Sequence, residues 1–234
     1  MPRPKQRTDA LRDHVLQVAV DMLASEGLAK FTTRNIARGA STSTPAVYEL
    51  FGDKAGLVRG VFFEGFRVLR QYLDRPAASP RPPRVGDPRD DLIGLFARYR
   101  EFLRDHPVLS HVMFSRPFAD FDPGPAEREA GAQVRELIVA HVQRCIDAGG
   151  LAGDSTDIAH VLVSLTQGLA AAEVASRLGS SRASVDRRWA LGLAAVLDGL
   201  RPRARTAGSP PRAIRAARGG GQRRAGVAQR KPRR

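Results

Sequence analysis

The segment Phe31 to Leu57, FTTRNIARGASTSTPAVYELFGDKAGL, constrains this chain more than any other. Thr32 and Ser43 are placed to cap two short helices, and Asp53 is placed to cap a third. Phe31 and Ile36 sit on either side of Thr32 as a hydrophobic staple. Pro45 falls in the first turn of the second helix, where proline is tolerated, and Gly52 ends that helix. The inward face of the pair is drawn from Ile36, Ala37, Ala40, Val47 and Phe51, and Ala37 is small enough to let the two helices approach closely. The outward face of the second helix carries Ser43, Thr44, Ala46 and Tyr48 and is almost bare of charge. A surface helix made that way is poorly built for solvation and well built to lie against another surface, with DNA the first partner to consider.

The rest of the chain also follows a helical period. Apolar residues at Leu11, Val15, Leu16, Ala19, Met22 and Leu23 predict a helix over 9–25, capped by Thr8 and stopped by Gly27. A longer helix from Asp53 runs through Leu57, Val61, Phe62, Phe66, Leu69 and Leu73. Residues 75–88 hold five prolines and exclude regular structure. Beyond them, helices are predicted at 89–105, 107–115, 126–148, 155–178 and 184–200. No segment sustains a period-two alternation, so the expected fold class is all-α, with an N-terminal three-helix helix-turn-helix domain joined to a larger helical domain. From Arg201 onward Arg, Gly, Ala and Pro dominate, and disorder is expected.

The net charge of +14 is unevenly distributed. Residues 1–60 hold nine basic and six acidic residues, and residues 61–200 hold 17 and 18. Residues 201–234 hold twelve basic residues and no acid. The body is therefore nearly neutral, and any specific recognition has to rest on the weakly charged second helix. Twelve positive charges in the tail would add a salt-dependent, sequence-independent attraction to DNA, unless the tail is a passive solvated extension. The lone Cys145 excludes an internal disulfide and a cysteine-rich metal site. No apolar run approaches the roughly 20 residues that cross a bilayer, and no early stretch has signal-peptide form. No membrane partner and a cytoplasmic location are expected.

Within the helix pair, Ser43 and Thr44 can donate to bases or phosphates, and Ala46 can meet a thymine methyl group. Tyr48, Arg34 and the amides near Thr33 and Lys54 suit phosphate oxygens. At these residues the segment resembles the DNA-binding region of the TetR family of bacterial transcriptional regulators. The family's pattern is matched without gaps at Thr32, Arg34, Ile36, Ala37, Ala40, Ser43, Tyr48, Phe51, Lys54 and Leu57. It is departed from at Ser41, which stands at the usual turn glycine, at Thr42, at an apolar position, and at Leu50, at a usual histidine. Glu49 adds an acid to the recognition helix, expected to face solvent. The expected DNA-binding set is Thr32, Thr33, Arg34, Ser43, Thr44, Pro45, Ala46, Tyr48 and Lys54. An ordinary helical hairpin in a larger bundle is the structural alternative.

The resemblance implies a homodimer, built here by the helices at 155–178 and 184–200, and a cavity for a small-molecule effector. Those two segments carry apolar or small residues on more than one face, which calls for more than one partner surface. A plain monomer core would account for them equally. Aromatic residues gather between the two parts of the chain, at Phe62, Phe63, Phe66, Phe96, Tyr99, Phe102, Phe114, Phe118 and Phe121. An apolar or aromatic effector is expected against Phe66, Phe96, Tyr99, Phe114, His141 and Gln167, with His111 a further polar candidate. The expected division is residues 1–53 for the arm and DNA-binding domain, 54–200 for the ligand-binding and dimerisation domain, and 201–234 for the tail. The implied function is a ligand-responsive regulator, most simply a repressor released from a palindromic operator. An architectural DNA-coating protein without effector control is the alternative. His106, His111, His141 and His160 are scattered without metal-ligand spacing, and no nucleophile or phosphate-binding motif occurs. No cofactor, metal or enzymatic activity is expected.

Overall fold

Side-chain caps fix where the helices begin. Thr32 Oγ1 accepts the Asn35 amide at 3.2 Å and Ser43 Oγ accepts the Ala46 amide at 3.2 Å. Asp53 Oδ1 accepts the Gly56 amide at 2.7 Å, and Asp154 Oδ1 accepts those of Thr156 and Asp157 at 2.9 Å. Each satisfies an amide that the helix itself leaves unpaired. In this computed structural model, which describes residues 5–76, 86–115 and 124–202, the helices are α1 (Lys5–Glu26), α2 (Thr33–Gly39), α3 (Thr44–Phe51), α4 (Lys54–Leu73), α5 (Pro88–Asp105), α6 (Pro107–Ser115), α7 (Pro125–Asp147), α8 (Ser155–Val174) and α9 (Arg182–Gly199). The fold is all-α, and no strand occurs among the described residues. Most of the 75–88 stretch, Phe118, Phe121 and the tail from residue 203 lie outside them.

Three boundaries differ from the sequence expectation. First, α1 begins at Lys5, so Thr8 lies within the helix rather than ahead of it; Lys5, Gln6 and Arg7 are good helix formers. Second, a 3-10 turn at Leu28–Lys30 follows α1. Third, α8 stops at Val174, short of residue 178, because Ser176 turns into the left-handed region at φ 56°. There the Ser176 amide donates to Glu173 O and the Arg177 amide to Ala172 O, the paired bonds of a Schellman ending. Glycine is the usual signal for that motif, and serine hid it.

Helix α4 is the spine. It buries Leu57, Val58 and Val61 toward one end and Phe62, Leu69, Tyr72 and Leu73 toward the other. It packs against α1 and α3 on one side and α5, α6 and α7 on the other. Gly65 permits its close approach to α6, since a Cβ there would overlap the Met113 sulfur. Residues up to Pro202 form one compact unit. A polar clasp fastens α5 to α8 and α9. Arg100 donates to both Glu173 oxygens at 2.9 and 2.8 Å and to Asp186 Oδ1 at 2.7 Å, and its guanidinium lies 4.8 Å from the Trp189 ring centroid. Trp189 Nε1 donates to Glu173 Oε2 at 2.6 Å.

Candidate nucleic-acid interface and ligand cavity

The α2–α3 pair is built around Ile36, Ala37, Ala40 and Val47, all at most 3% exposed. Its turn is a second Schellman ending. Ser41, at φ 51°, donates its amide to Arg38 O at 3.2 Å, and Thr42 donates to Ala37 O at 2.9 Å. That geometry swings α3 across α2 and turns a face outward. Ser43, Pro45 and Tyr48 are exposed, and Thr44 and Ala46 are half-buried beside them. Thr32, Arg34 and Lys54 are exposed at the starts of the flanking helices, and Thr33 is half-buried. All nine expected DNA-binding residues thus lie on α3 or at the ends of α2 and α4.

Both departures on α3 have a structural reading. Leu50 is half-buried and packs against the core, so it takes no place on the outward face. Glu49 is exposed. Two contacts were not legible in the sequence. Asn35 Nδ2 donates to Lys30 O at 3.0 Å while its Oδ1 accepts from Arg38 at 3.0 Å, which fixes Arg38 along α2. Arg12 of α1 stacks 5.3 Å from the Phe51 ring centroid and steadies the end of α3.

A cavity of about 440 Å³ opens between α4, α5, α6, α7 and α8, within the size range of small-molecule sites. Of the six expected ligand residues, Phe66, Tyr99, Phe114 and Gln167 stand in its wall. The other two do not. Phe96 is 1% exposed and fills the core behind Tyr99, with ring centroids 6.4 Å apart. His141 Nδ1 lies 2.8 Å from Leu137 O, outside the wall, and burial holds its imidazole below the ordinary histidine value despite that hydrogen bond. His111 lines a second cavity of about 470 Å³, which shares Phe114 and Gln167 with the first.

In the wall of the first cavity Gln167 Nε2 donates to the Tyr99 hydroxyl at 3.1 Å, and burial holds that phenol far above its ordinary value. On the α7 side the wall includes Glu127, Arg128 and Arg135, with His160 on α8. Glu127 is 3% exposed, and its Oε1 lies 2.5 Å from Arg59 Nε of α4, close enough for an ion pair but misaligned for a hydrogen bond. From the sequence Glu127, like Glu129, reads as a solvated carboxylate at a helix start, suited to the helix dipole; the structure instead buries Glu127, and Arg128 and Arg135 were passed over. The available signal was an acid, Glu127, in register with Gly131, Val134 and Ile138 on the buried stripe of α7.

Helices α8 and α9 leave an apolar face outward. Val161, Val174 and Leu191 are 51%, 64% and 68% exposed, and Gly168, Ala171 and Ala195 are exposed among them. No group of acids, histidines and cysteines among the described residues can hold a metal ion, and no described helix is long and apolar enough to cross a membrane.

Residues 15–61 match the family described as bacterial regulatory proteins, tetR family, and residues 92–196 match that described as tetracyclin repressor-like, C-terminal domain. No curated protein sequence matches the chain. Among solved structures, a protein of unknown function from Rhodococcus sp. RHA1 is 26% identical with a TM-score of 0.70, over 82% of this chain and 96% of that one. A TetR-like transcriptional regulator from the same organism is 19% identical with a TM-score of 0.57, over 85% and 97%. The ketosteroid transcriptional regulator KstR2 of Mycobacterium tuberculosis is 22% identical with a TM-score of 0.52, over 82% and 95%.

Proposed function

Because this chain belongs to the TetR family of bacterial transcriptional regulators, which bind DNA and are not enzymes, we propose that it is a repressor that holds a palindromic operator as a homodimer and is released by a small apolar effector. The observation that carries this reading is the exposed, nearly uncharged face of α3, set by the Ser41 turn and flanked by Arg34 and Lys54. The outward hydroxyls, Ala46 and Tyr48 supply base-edge contacts, and the flanking cations supply phosphate contacts. A two-fold dimer through the apolar face of α8 and α9 would set two copies of α3 about one helical turn of DNA apart or somewhat further.

The cavity supports effector control through α4. Phe62, Phe66 and Leu69 stand in its wall, and Lys54 opens the same helix about 18 Å away along the axis. An effector that separates α4 from α7 would tilt α4 and change the spacing of the two α3 helices. It releases DNA only to the extent that it binds the tilted state more tightly. The ketosteroid regulator named above is consistent with an apolar effector.

Selection of genomic fragments bound by the purified full chain, followed by footprinting, tests this function. Protection of a discrete symmetric site supports a regulator. Uniform protection would point instead to an architectural DNA-coating protein.

A further inference from the structure

The wall of the α4–α8 cavity contains a buried donor whose proton is unused. Tyr99 is 2% exposed, and its ring packs against those of Phe96 and Phe114, each with its centroid 6.4 Å away. The Tyr99 hydroxyl accepts from Gln167 Nε2 at 3.1 Å, and both residues stand in the wall. That is the hydroxyl's one hydrogen bond among the described residues, and it occupies a lone pair, so the O–H proton has no acceptor there. A buried donor without an acceptor is unfavourable, and an occupant that supplies one gains by it. Burial holds this phenol far above its ordinary value, against the Gln167 hydrogen bond, and no charge among the described residues contributes. At neutral pH Tyr99 is therefore an uncharged donor in uncharged surroundings. Elsewhere in the wall Glu127 is paired with Arg59, Arg135 and His160 are exposed to water, and Phe66, Met113, Ile138 and Val163 are apolar.

We propose that the effector is an uncharged apolar molecule bearing a carbonyl oxygen, and that this oxygen accepts the Tyr99 O–H. This inference rests on the cavity being the effector site. Gln167 is a positioning residue: its N–H takes one lone pair of the hydroxyl and so turns the proton away from itself. The aromatic neighbours hold the ring, which sets the donor in place before an occupant arrives and limits the ordering cost of binding. A carbonyl oxygen suits a lone donor because it accepts without bringing a proton of its own. A hydroxyl would add a second donor to the same spot, and an ammonium group would meet a donor with a donor. A carboxylate would accept the proton, but burying its charge beside a neutral pair costs more than one hydrogen bond gives. A plain hydrocarbon would leave the proton without an acceptor.

The test is equilibrium dialysis of the full chain, parent and Tyr99→Phe, against 2-acetylnaphthalene and 2-isopropenylnaphthalene. The two probes share a frame, and the second carries a methylene group in place of the carbonyl oxygen. Tyr99→Phe removes the donor and keeps the ring. It should weaken binding of the ketone about three- to tenfold relative to the alkene, as expected for one neutral hydrogen bond. Referring the ketone to the alkene cancels any loosening of the cavity that the substitution causes. An equal change for both probes overturns the carbonyl contact while leaving an apolar effector site intact. Binding of neither probe by the parent chain overturns both readings. A second readout needs no variant: the infrared carbonyl band of the ketone bound to the parent should be single and lie below its position in an alkane. A band at the alkane position, or at the position the ketone shows in water, overturns the contact whether or not Tyr99→Phe folds.

Discussion

Glu127 and Arg59 join the wall of the α4–α8 cavity to the helix that follows the helix-turn-helix. The Glu127 carboxylate is buried in the cavity wall, whereas Arg59 is half-exposed on α4, five residues from Lys54. Removing one partner of such a pair costs more when the group left behind is buried. Arg59→Ala strands the carboxylate and is expected to destabilise the fold by about 1–3 kcal/mol, discounted for the exposure of Arg59. Glu127→Gln leaves a neutral amide against a solvated cation and is expected to cost about 1 kcal/mol or less. Urea denaturation of both variants checks the order, and the reverse order would contradict the reading.

Ser41 and Ser176 are the two non-glycine residues with positive φ among the described residues, at 51° and 56°. Each closes a Schellman ending that glycine would adopt without strain. Ser41→Gly and Ser176→Gly are each expected to raise stability by about 0.5 kcal/mol, the strain relieved exceeding the entropy that glycine adds to the unfolded chain. The sites share no helix, so the gains should add. Differential scanning calorimetry of the singles and the double variant measures this.

The Arg100 clasp predicts an acid-labile tie between α5 and the α8–α9 pair. Burial pushes Glu173 up, but the Arg100 hydrogen bonds, its charge and the Trp189 N–H outweigh that and hold it below its ordinary 4.5. The Arg100 hydrogen bond holds Asp186 below its ordinary 3.8. A depressed carboxylate stabilises the fold above its unfolded value and loses that contribution as pH falls through its folded value. The stabilisation from this clasp should therefore be fully present and constant from neutrality down to about pH 5 and decline below about pH 4. Trp189 is the sole tryptophan, so its fluorescence follows the clasp directly. Glu173→Gln should flatten the acid limb of the urea midpoint against pH.

Gly168 on the outward face of α8 is exposed, and a Cβ there would meet nothing within 4 Å in its own chain. Gly168→Leu should therefore leave the protomer melt within about 0.5 kcal/mol of the parent. If two α8–α9 pairs pack together, the added bulk forces them apart. Light scattering coupled to size exclusion should show the parent as a dimer and Gly168→Leu as mostly monomer. A dimer unchanged by both Gly168→Leu and Leu191→Glu would place the interface elsewhere.

The helix starts and the α2–α3 pair were legible in the sequence because their signals are local. Thr32, Ser43 and Asp53 each accept the amide three residues ahead and so cap the helix that starts at the next residue, and Ile36 and Val47 need only the helical period to be placed inward. The polar half of the cavity was not legible, because Glu127 reaches its buried position only when α7 crosses α4. His141 was misplaced for a related reason. On α7 its period is shared with the buried stripe, but its ring turns back to Leu137 O rather than toward Gln167. Ser41 and Ser176 show the limit of local signals from the other side, since serine gives no warning of a left-handed turn.

The central claim is that α3 reads sequence through side chains without charge, while Arg34 and Lys54 hold phosphates. It is tested most directly by the ratio of affinities for the selected site and a scrambled duplex, measured across a range of salt for the parent, Thr44→Ala and Lys54→Ala. Thr44→Ala should lower that ratio by about 1–3 kcal/mol and leave the salt slope unchanged. Lys54→Ala should keep the ratio and reduce the slope by about one. A ratio that survives Thr44→Ala, together with a specificity loss in Lys54→Ala, would contradict the account.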